Sequence, residues 1–253
     1  MPHALVRRPG PLLAEGLLTH QARVPVDTDL AMRQWQGYVD ALRAAEWDVV
    51  EVDPADDCAD AVFVEDALVV FDDLAVVTRP GAPSRRPETD AAERAAADLG
   101  LAIAHITEPA TLDGGDVLKV DRTAYVGVGG RTDTTAVDQL AALLGPRGWT
   151  VVAVPVTKVL HLKSAVTALP DGTVIGYPDF VDDPSVFARY VDVPEPSGSH
   201  VVQLDDRRLL MAADAPESAR RFRAMGYDVV EVDISEFEKL EGCVTCLSVR
   251  YRG

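Results

Sequence analysis

Three kinds of reactive side chain occur in short motifs along the sequence. Carboxylates occupy Asp60-Ala-Val-Phe-Val-Glu-Asp66 and Asp113-Gly-Gly-Asp116, a histidine opens His161-Leu-Lys-Ser164, and two thiols lie in Glu241-Gly-Cys-Val-Thr-Cys246. An ionised thiol is a nucleophile, imidazole transfers protons near neutral pH, and carboxylates pair with cationic groups. If the fold brings these motifs into one pocket, the pocket would suit nucleophilic chemistry on a cationic ligand.

The cysteines of the last motif, Cys243 and Cys246, have the C-x-x-C spacing of many zinc and redox sites. A single such pair is a weak zinc signal. The Leu-Ser-Val-Arg segment that follows is typical of a strand, whereas a redox motif normally opens a helix. Side chains at positions i and i+3 of a strand point to opposite faces. We therefore predict that the two thiols neither bridge nor chelate, and that Cys246 is the thiol in the polar pocket.

The elements that would position these motifs form a repeat. The hexapeptide Asp-Val-Val-Glu-Val-Asp occurs at 48–53 and again at 228–233, each time after an aromatic residue and an amphipathic helical segment. Alternating apolar runs around short polar turns predict four hairpins, at 68–77, 117–126, 165–175 and 201–211. Helices are predicted at 89–99, 134–144, 184–190 and 216–225, each followed by a strand, at 101–106, 149–154, 190–193 and 227–232.

The two chain ends supply a fifth predicted unit. In this unit the strand 244–250 pairs with 3–7, and a helix at 32–45 and a strand at 47–52 complete the pattern. Five pseudo-symmetric ββαβ units closed by the termini give an α/β fold, a five-bladed propeller that forms one domain over residues 1–253 and shields its sheet edges. Because the reactive motifs open successive units, pseudo-symmetry predicts that carboxylates, imidazole and thiol meet at one end of the axis.

Composition limits the classes of function. The 253 residues include 24 basic and 41 acidic side chains, which gives a formal net charge of −17. Nucleic-acid binding requires a basic face, so this charge argues against a nucleic-acid partner and against docking to an anionic membrane, and it suits a cationic ligand. We find no secretory signal and no apolar run of membrane-spanning length, and three cysteines cannot form a disulfide framework. A cytoplasmic location is therefore expected.

Five ordered motifs resemble one enzyme family. They are Phe63-Val-Glu-Asp66, Thr78-Arg-Pro-Gly-Ala-Pro-Ser-Arg-Arg86, Leu112-Asp-Gly-Gly-Asp116, His161-Leu-Lys-Ser164 and Thr245-Cys-Leu-Ser-Val249. Together they resemble, nearly from end to end, the dimethylarginine dimethylaminohydrolases of the pentein, or guanidino-group-modifying, superfamily. The resemblance implies a five-bladed propeller that hydrolyses N-ω-methylated arginines to citrulline and an amine. It further implies a covalent cysteine thiouronium intermediate and no metal or organic cofactor.

The same resemblance implies roles for individual residues. Cys246 would be the nucleophile, His161 the general acid and base, and Asp113 the carboxylate that grips the guanidinium. Asp113 and Glu241 stand where some relatives carry Glu and Asp, respectively. No catalytic metal is implied, although Cys246 and His161 could capture an inhibitory Zn²⁺. The implied substrate contacts are Leu17 on a mobile lid, Asp60, Glu65, Asp66, Arg85, Arg131, Leu240 and Glu241.

Alternatives to methylarginine hydrolysis stay open on the sequence. An arginine deiminase or an amidinotransferase would use the same thiol and imidazole, but the extra helical insertion of free-arginine deiminases is not visible. A non-catalytic pentein that binds a ribosomal partner would share the fold, but the net charge disfavours an RNA-rich partner. The expected partner is a small cationic guanidino molecule. A homodimer is a candidate assembly that the sequence does not decide.

Overall fold

Short strands make up most of the regular structure. The computed structural model describes all residues, 1–253, and its strands in chain order are β1 (Pro2–Val6), β2 (Asp48–Glu51), β3 (Leu68–Phe71), β4 (Leu74–Val77), β5 (Ala102–His105), β6 (Val117–Val120), β7 (Thr123–Val128), β8 (Thr150–Pro155), β9 (Val166–Ala168), β10 (Val174–Gly176), β11 (Tyr190–Asp192), β12 (Val201–Gln203), β13 (Arg208–Ala212), β14 (Asp228–Val232) and β15 (Val249–Arg252). The helices are α1 (Thr28–Ala44), α2 (Thr89–Asp98), α3 (Thr134–Leu144), α4 (Leu162–Ala165), α5 (Pro216–Ala224) and α6 (Ser235–Glu238). None of these helices combines the length and the apolar character that a membrane crossing needs.

The strands form five three-stranded sheets that share one plan. The sheet orders are β3-β4-β5, β6-β7-β8, β9-β10-β11, β12-β13-β14 and β15-β1-β2. In each sheet the first strand pairs antiparallel with the middle strand, and the third strand runs parallel to it. The five-bladed propeller predicted from the repeat is confirmed. Its fifth blade joins β15 from one chain end to β1 from the other, so the two termini close the ring.

Local sequence chemistry explains why these elements form where they do. Two of the hairpins turn at Asp72 and Asp121, whose φ angles are +54° and +50°. Two-residue hairpin turns need such left-handed backbone, and aspartate tolerates it better than most residues. The helix α1 begins at an N-cap, because the side chain of Asp27 accepts a hydrogen bond from the Leu30 N–H at 2.9 Å. Its apolar residues then recur on the face that packs against the sheets.

Two predicted elements differ in the structure. The predicted helix 184–190 is wrong: only one 3₁₀ turn, Pro184–Val186, is present, and Phe187 then adopts an extended conformation that leads into β11. Asp183 caps this turn, and Phe187 is extended and packs in an apolar core cluster, which ends the turn before an α-helix can develop. The predicted strand 244–250 is wrong at its start, since β15 begins only at Val249. The preceding residues are turned, with the Cys246 N–H donating to the Cys243 carbonyl at 3.1 Å.

Apolar side chains pack between neighbouring sheets and under the outer helices. One such cluster joins Val69 and Phe71 of β3 to Val117 and Val126 of the next sheet and to Leu140 of α3. All of these side chains are at most 6% exposed. This packing fixes each inner strand against its neighbour. It therefore fixes the loops that open the inner strands, which carry the reactive motifs.

The propeller axis contains a cavity of about 360 Å³. It extends from the hairpin ends of the sheets, near Asp72 and Trp149, to Glu65 and Lys163 at the start of the inner strands. The reactive motifs lie at this second end. The axis therefore has two distinct ends: a cavity with apolar and charged walls on the hairpin side and a smaller pocket on the motif side.

Candidate active site

The reactive side chains lie where the chain enters the inner strands of four sheets. Asp66 belongs to a 3₁₀ turn before β3, and Asp113 immediately precedes the 3₁₀ turn Gly114–Asp116 before β6. His161 precedes α4, which leads into β9, and Cys246 lies in the turn before β15. These positions are equivalent in the pseudo-symmetric ring. One pocket is lined by Asp66, His161 and Cys246 together with Leu17, Asp60, Phe63, Arg85, Arg131, Leu160, Leu240, Glu241 and Gly242.

His161 is held between two carboxylates. Its Nε2 lies 2.9 Å from Oδ2 of Asp113, and its Nδ1 lies 3.9 Å from Oδ1 of Asp66. Burial of the ring lowers the pKa of His161, but the negative charges of Asp66, Asp116 and Asp113 outweigh burial and raise that pKa to about 9. At neutral pH the ring is therefore an imidazolium, which can donate a proton before it acts as a base.

Asp113 is fully buried and contacts the histidine directly. Besides His161, its carboxylate accepts a hydrogen bond from the Gly81 N–H at 2.8 Å and lies 3.6 Å from a guanidinium nitrogen of Arg131. It is absent from the pocket wall. In this structure Asp113 orients the imidazole, which differs from the implied grip on a guanidinium.

Asp66 is the carboxylate that faces the pocket. It accepts hydrogen bonds from Nη1 of Arg85 at 2.6 Å and from the Gly115 N–H at 2.8 Å. Burial opposes ionisation of Asp66, but His161 and Arg85 outweigh it and hold the pKa of this carboxyl well below its usual range. A Cβ at Gly115 would lie 2.7 Å from both Asp66 Oδ1 and His161 Nδ1. Only glycine therefore allows this loop to approach the pair so closely.

Asp116 is a supporting residue to which the sequence analysis gave no role. Its carboxylate accepts hydrogen bonds from the Thr132 hydroxyl at 2.6 Å and from the Leu162 N–H at 2.8 Å. The second bond fixes the backbone next to His161. Burial raises the pKa of Asp116 to about 6, although His161 and the two hydrogen bonds oppose this rise. The sequence does contain a signal for Asp116, because it ends the Asp113-Gly-Gly-Asp116 motif, three residues after Asp113.

The two cysteines of the C-x-x-C motif are neighbours, so the prediction that they point to opposite faces is wrong. Their sulfur atoms lie 3.3 Å apart, and both residues are buried. The strand-face argument fails because residues 243–248 are turned and not extended. The Cys243 contact, burial and the negative charges of Cys243, Glu65 and Asp66 raise the pKa of the Cys246 thiol. Cys246 lines the pocket and Cys243 does not.

Two carboxylates accept hydrogen bonds from the backbone of a loop over the pocket, residues 17–21. Asp60 accepts from the Leu17 N–H at 3.1 and 3.2 Å. Oε1 of Glu241 accepts from three successive backbone N–H groups, at 3.0, 2.5 and 2.8 Å, in Thr19, His20 and Gln21. The Leu17 residue itself is 38% exposed. Asp60 and Glu241, which were predicted to contact the substrate, therefore hold the loop that carries Leu17, another predicted contact.

The structure does not bring every predicted substrate contact to the pocket. The carboxylate of Glu65 lies 2.6 Å from Nζ of Lys163 and 3.2 Å from Nη2 of Arg250, on the side of the axial cavity. Arg85 lines the pocket, but its guanidinium is paired with Asp66 and with Glu88. Arg131 also lines the pocket, and its Nη1 makes no hydrogen bond. This Nη1 lies 3.6 Å from Oδ2 of Asp113, so Arg131 is held by charge attraction and not by a hydrogen bond.

The site contains one group of side chains with metal-ligand chemistry. One donor atom each from Asp66, Asp113 and His161 lies within 4.8 Å of the others. The Nε2 atom of His161 is engaged with Asp113, and the ring carries a proton at neutral pH, so a metal would have to displace that proton. Cys246 is not in this group. The arrangement serves proton transfer better than metal binding.

Comparisons with known proteins agree with this geometry. The arginine deiminase family model matches residues 91–212. The chain is 62% identical, over 98% of its length and 96% of the relative, to the N(G),N(G)-dimethylarginine dimethylaminohydrolase of Streptomyces coelicolor. It is 31% identical, over 98% of its length and 99% of the relative, to the enzyme of the same name from Pseudomonas aeruginosa.

Solved structures agree as well. A Pseudomonas aeruginosa dimethylarginine dimethylaminohydrolase, a cysteine-to-serine mutant complexed with citrulline, superposes with a TM-score of 0.91 at 31% identity and covers 98% of each chain. A dimethylarginine dimethylaminohydrolase adduct with S-methyl-L-thiocitrulline gives the same TM-score at 30% identity, over 98% of this chain and 99% of that one. With its pentein fold, its full-length sequence identity and these structural matches, the chain belongs to the dimethylarginine dimethylaminohydrolase family.

Proposed function

We propose that this protein hydrolyses N-ω-methylated arginines, asymmetric dimethylarginine and monomethylarginine, to citrulline and dimethylamine or methylamine. The observation that carries the proposal is the convergence of a thiol, a carboxylate-bound imidazole and a second carboxylate on one pocket, at Cys246, His161 and Asp66. The related enzymes bear this activity in their names, and one of them is complexed with citrulline. In enzyme terms the protein is a hydrolase of C–N bonds in linear amidines.

Substrate binding begins with charge pairing. The guanidinium would lie against Asp66, which is held ionised and fixed in position by Arg85 and Gly115. Two parallel N–H···O bonds would fix the guanidinium plane and present its central carbon to the sulfur of Cys246. Asp60 would add a second carboxylate near the same cation. At the far end of the substrate, the guanidinium of Arg131, which lines the pocket, would pair with an α-carboxylate.

Thiolate formation is coupled to the arrival of the substrate. Buried beside carboxylates, the Cys246 thiol resists ionisation in the free protein. A bound guanidinium offsets the charge of Asp66 and so favours the thiolate. The sulfur would then attack the guanidinium carbon to give a tetrahedral adduct on Cys246.

His161 supplies the proton that the leaving amine needs. Collapse of the tetrahedral adduct breaks the C–N bond as the imidazolium protonates dimethylamine, a step worth roughly 10²–10⁴-fold. The S-alkylthiouronium intermediate remains on Cys246. The neutral imidazole then removes a proton from water, the water oxygen attacks the same carbon, and citrulline leaves as the thiol is regenerated. None of these steps uses a metal or an organic cofactor.

Arginine deiminase activity is the second candidate, and the match of residues 91–212 to the arginine deiminase family model favours it. The same thiol and imidazole would serve, with ammonia as the leaving group. Methylation removes N–H donors, so a pocket built for arginine would leave buried acceptors unpaired on methylarginine, at about 1–3 kcal/mol each. Leu17 and Phe63 supply apolar wall beside the acidic groups, which suits the methylated substrate better.

The decisive experiment compares citrulline formation from dimethylarginine, monomethylarginine, arginine and agmatine side by side. We expect kcat/KM for the two methylated substrates to exceed that for arginine by more than about tenfold, or ~1.4 kcal/mol of transition-state discrimination. Agmatine should also be poor because it lacks the carboxylate that would pair with Arg131. Equal or faster turnover of arginine would replace the proposal with the deiminase activity.

A zinc ion would act only as an inhibitor. Cys246 and His161 line the same pocket, and thiolate and imidazole are preferred zinc ligands. We expect added Zn²⁺ to abolish turnover reversibly, whereas dialysis against a chelator should leave activity unchanged. Activity that is lost on chelation and restored by zinc would contradict a metal-free mechanism.

The cellular setting follows from the thiol. A cysteine nucleophile requires a reduced sulfur, and the other two cysteines are also free, so we propose the reducing cytoplasm as the location. The partner would be the small cationic substrate, with no nucleic acid. A homodimer is a compatible assembly, which sedimentation would test.

A further inference from the structure

The proposed mechanism uses only one of two adjacent thiols. Cys243 lies beside Cys246, with 3.3 Å between their sulfur atoms, and it also contacts the Thr245 hydroxyl at 3.2 Å. The remaining cysteine, Cys58, lies elsewhere and contacts the Ser84 carbonyl at 3.7 Å. A buried thiol in contact with a nucleophilic sulfur, and without a part in the reaction, needs its own explanation.

We propose that Cys246 and Cys243 form an oxidative modification site, at which a hydroperoxide oxidises Cys246 and Cys243 converts the product to a disulfide. The activity readout of this proposal rests on the proposed function. The disulfide itself forms whether or not the protein acts on methylarginine, so the two can fail separately.

The backbone already holds the two residues at disulfide distance. The Cys246 N–H donates to the Cys243 carbonyl at 3.1 Å, which closes a four-residue turn. The Cα atoms at the ends of such a turn lie within about 7 Å, and disulfides span about 4.4–6.8 Å between Cα atoms. The sulfur atoms need only move from 3.3 Å to about 2.05 Å apart. Small rotations of both side chains can share this movement without refolding the turn.

The pocket determines which sulfur meets the oxidant. Both cysteines belong to the apolar cluster under α1, but only Cys246 also lines the substrate pocket, beside Leu17 and His161. The free volume of the pocket is about 20 Å³, enough for about one water-sized molecule. A hydroperoxide group can therefore approach Cys246 from the pocket, whose walls do not include Cys243.

The chemistry balances as a two-electron oxidation of the dithiol. The Cys246 thiol passes its proton to the Cys243 thiolate, whose sulfur is 3.3 Å away. The Cys246 sulfur attacks one peroxide oxygen, so an S–O bond forms, the O–O bond breaks, and the leaving hydroxide takes that proton back from Cys243 as water. The Cys243 thiolate then attacks the sulfenic sulfur, so an S–S bond forms and the hydroxyl leaves as a second water. Two thiols and one hydrogen peroxide thus become one disulfide and two waters.

The surroundings of Cys243 suit the second step. Its hydrogen bond with Cys246, together with His200 and the Thr245 hydroxyl, outweighs burial and lowers the pKa of the Cys243 thiol. A thiol of lowered pKa is the one that attacks a neighbouring sulfenic acid. The disulfide would block turnover, since it removes the nucleophile, and would protect Cys246 from irreversible oxidation.

The test exposes the whole protein to hydrogen peroxide and follows citrulline formation and peptide mass. Both cysteines fall in the single tryptic peptide 240–250, between Lys239 and Arg250. In the wild type we expect activity to fall at least tenfold, dithiothreitol to restore it, and this peptide to lose two hydrogen masses and resist alkylation. Cys58→Ser is the matched control and should behave as the wild type.

The Cys243 variants separate a disulfide from simple oxidation. Cys243→Ser should keep its basal activity but, after peroxide, gain oxygen atoms on the peptide and recover less than a tenth of the lost activity with dithiothreitol. Cys243→Ala provides the same test should the serine variant fold poorly. Oxygen addition in the wild type without loss of hydrogen, or full recovery of both variants, would overturn the proposal.

Discussion

In the proposed mechanism, the catalytic chemistry depends on a histidine that is charged before the substrate arrives. Three carboxylates surround His161, and one of them, Asp113, makes the direct 2.9 Å contact. A neutral imidazole could not protonate the amine, and an imidazolium cannot take the proton from Cys246. The residue therefore begins each cycle as an acid, and the bound cation, instead of the histidine, favours thiolate formation.

This protonation state predicts the alkaline limb of the pH profile. The pKa of His161 is raised from 6.5 to about 9, so the imidazolium persists through neutral pH and is lost as pH rises through about 9. We expect kcat to fall over that range. The folding contribution of this charge has the same sign: it is fully present below about pH 6.5 and is lost as pH rises through about 9. Rate profiles and urea unfolding at several pH values measure both effects.

The control for this pH dependence is Asp116→Asn. Asparagine keeps an oxygen for the Leu162 N–H but removes a charge that raises the pKa of His161. The alkaline limb should therefore move to lower pH. If the alkaline limb of the kcat profile stayed at the same pH in this variant, the limb would report a group other than His161.

Residue types and spacing predicted which residues lie at the site better than they predicted which partners these residues contact. Pseudo-symmetry correctly placed Asp66, His161 and Cys246 around one pocket. It could not predict that Glu65 turns away to Lys163, because neighbouring residues of a 3₁₀ turn point in different directions and only the tertiary packing selects between them. The Cys243 contact was missed for a similar reason, since a turn and a strand start are hard to distinguish by pattern.

Among the elements, the loop over the pocket is the one that we expect to affect substrate binding most directly. Glu241 accepts three backbone N–H groups of this loop while its own backbone adopts a φ of +60°. Left-handed backbone at a residue other than glycine is unfavourable, and it persists here because the surrounding contacts hold it. The carboxylate thus fixes the loop in its position over the pocket.

Removing this carboxylate should weaken substrate binding. We expect Glu241→Ala to raise KM for dimethylarginine by about tenfold, equal to ~1.4 kcal/mol, with a smaller change in kcat. Glu241→Gln is the matched control. Because it keeps one oxygen acceptor, its KM should lie between that of the wild type and that of Glu241→Ala. Limited proteolysis near residue 20 should also become faster in the alanine variant. A loss confined to kcat would show that Glu241 acts on the chemical step and not through the loop.

Element prediction succeeded where periodicity was long and failed where it was short. Helix α3 was predicted at its observed bounds, because its eleven residues carry a sustained apolar face. The segment 184–190 holds less than two helical turns after Pro184, and here tertiary packing of Phe187 decided the conformation. The same limit explains the late start of β15.

At the scale of the whole molecule, the N-terminal strand closes the ring. Strand β1 lies between β15 and β2 and pairs with both. Its Leu5 side chain is fully buried in the cluster that also contains Val249 and Tyr251 of β15. The identical hexapeptides helped to predict this circular closure, because they mark the third strand of two different units and so revealed the repeat whose fifth unit the two chain ends complete.

Weakening the closing strand should destabilise the entire fold. We expect Leu5→Ala to lower the free energy of unfolding by about 2–5 kcal/mol, as for other leucine truncations in packed cores. Met32→Ala, at a residue 38% exposed, is the matched control and should change it little. Urea unfolding followed by circular dichroism measures both. If Leu5→Ala lowered the free energy of unfolding only slightly, the blades would fold independently of ring closure.

The assignment of Cys246 as the nucleophile is tested most directly by labelling with a haloacetamidine and locating the adduct by tandem mass spectrometry. The neighbouring thiol makes this measurement discriminating, because Cys243 lies only 3.3 Å away. We predict one adduct, on Cys246, formed more slowly in the presence of dimethylarginine. Cys246→Ser should lose both labelling and turnover, whereas Cys243→Ser and Cys58→Ser should keep most of each. An adduct on Cys243, or turnover by Cys246→Ser, would contradict the mechanism.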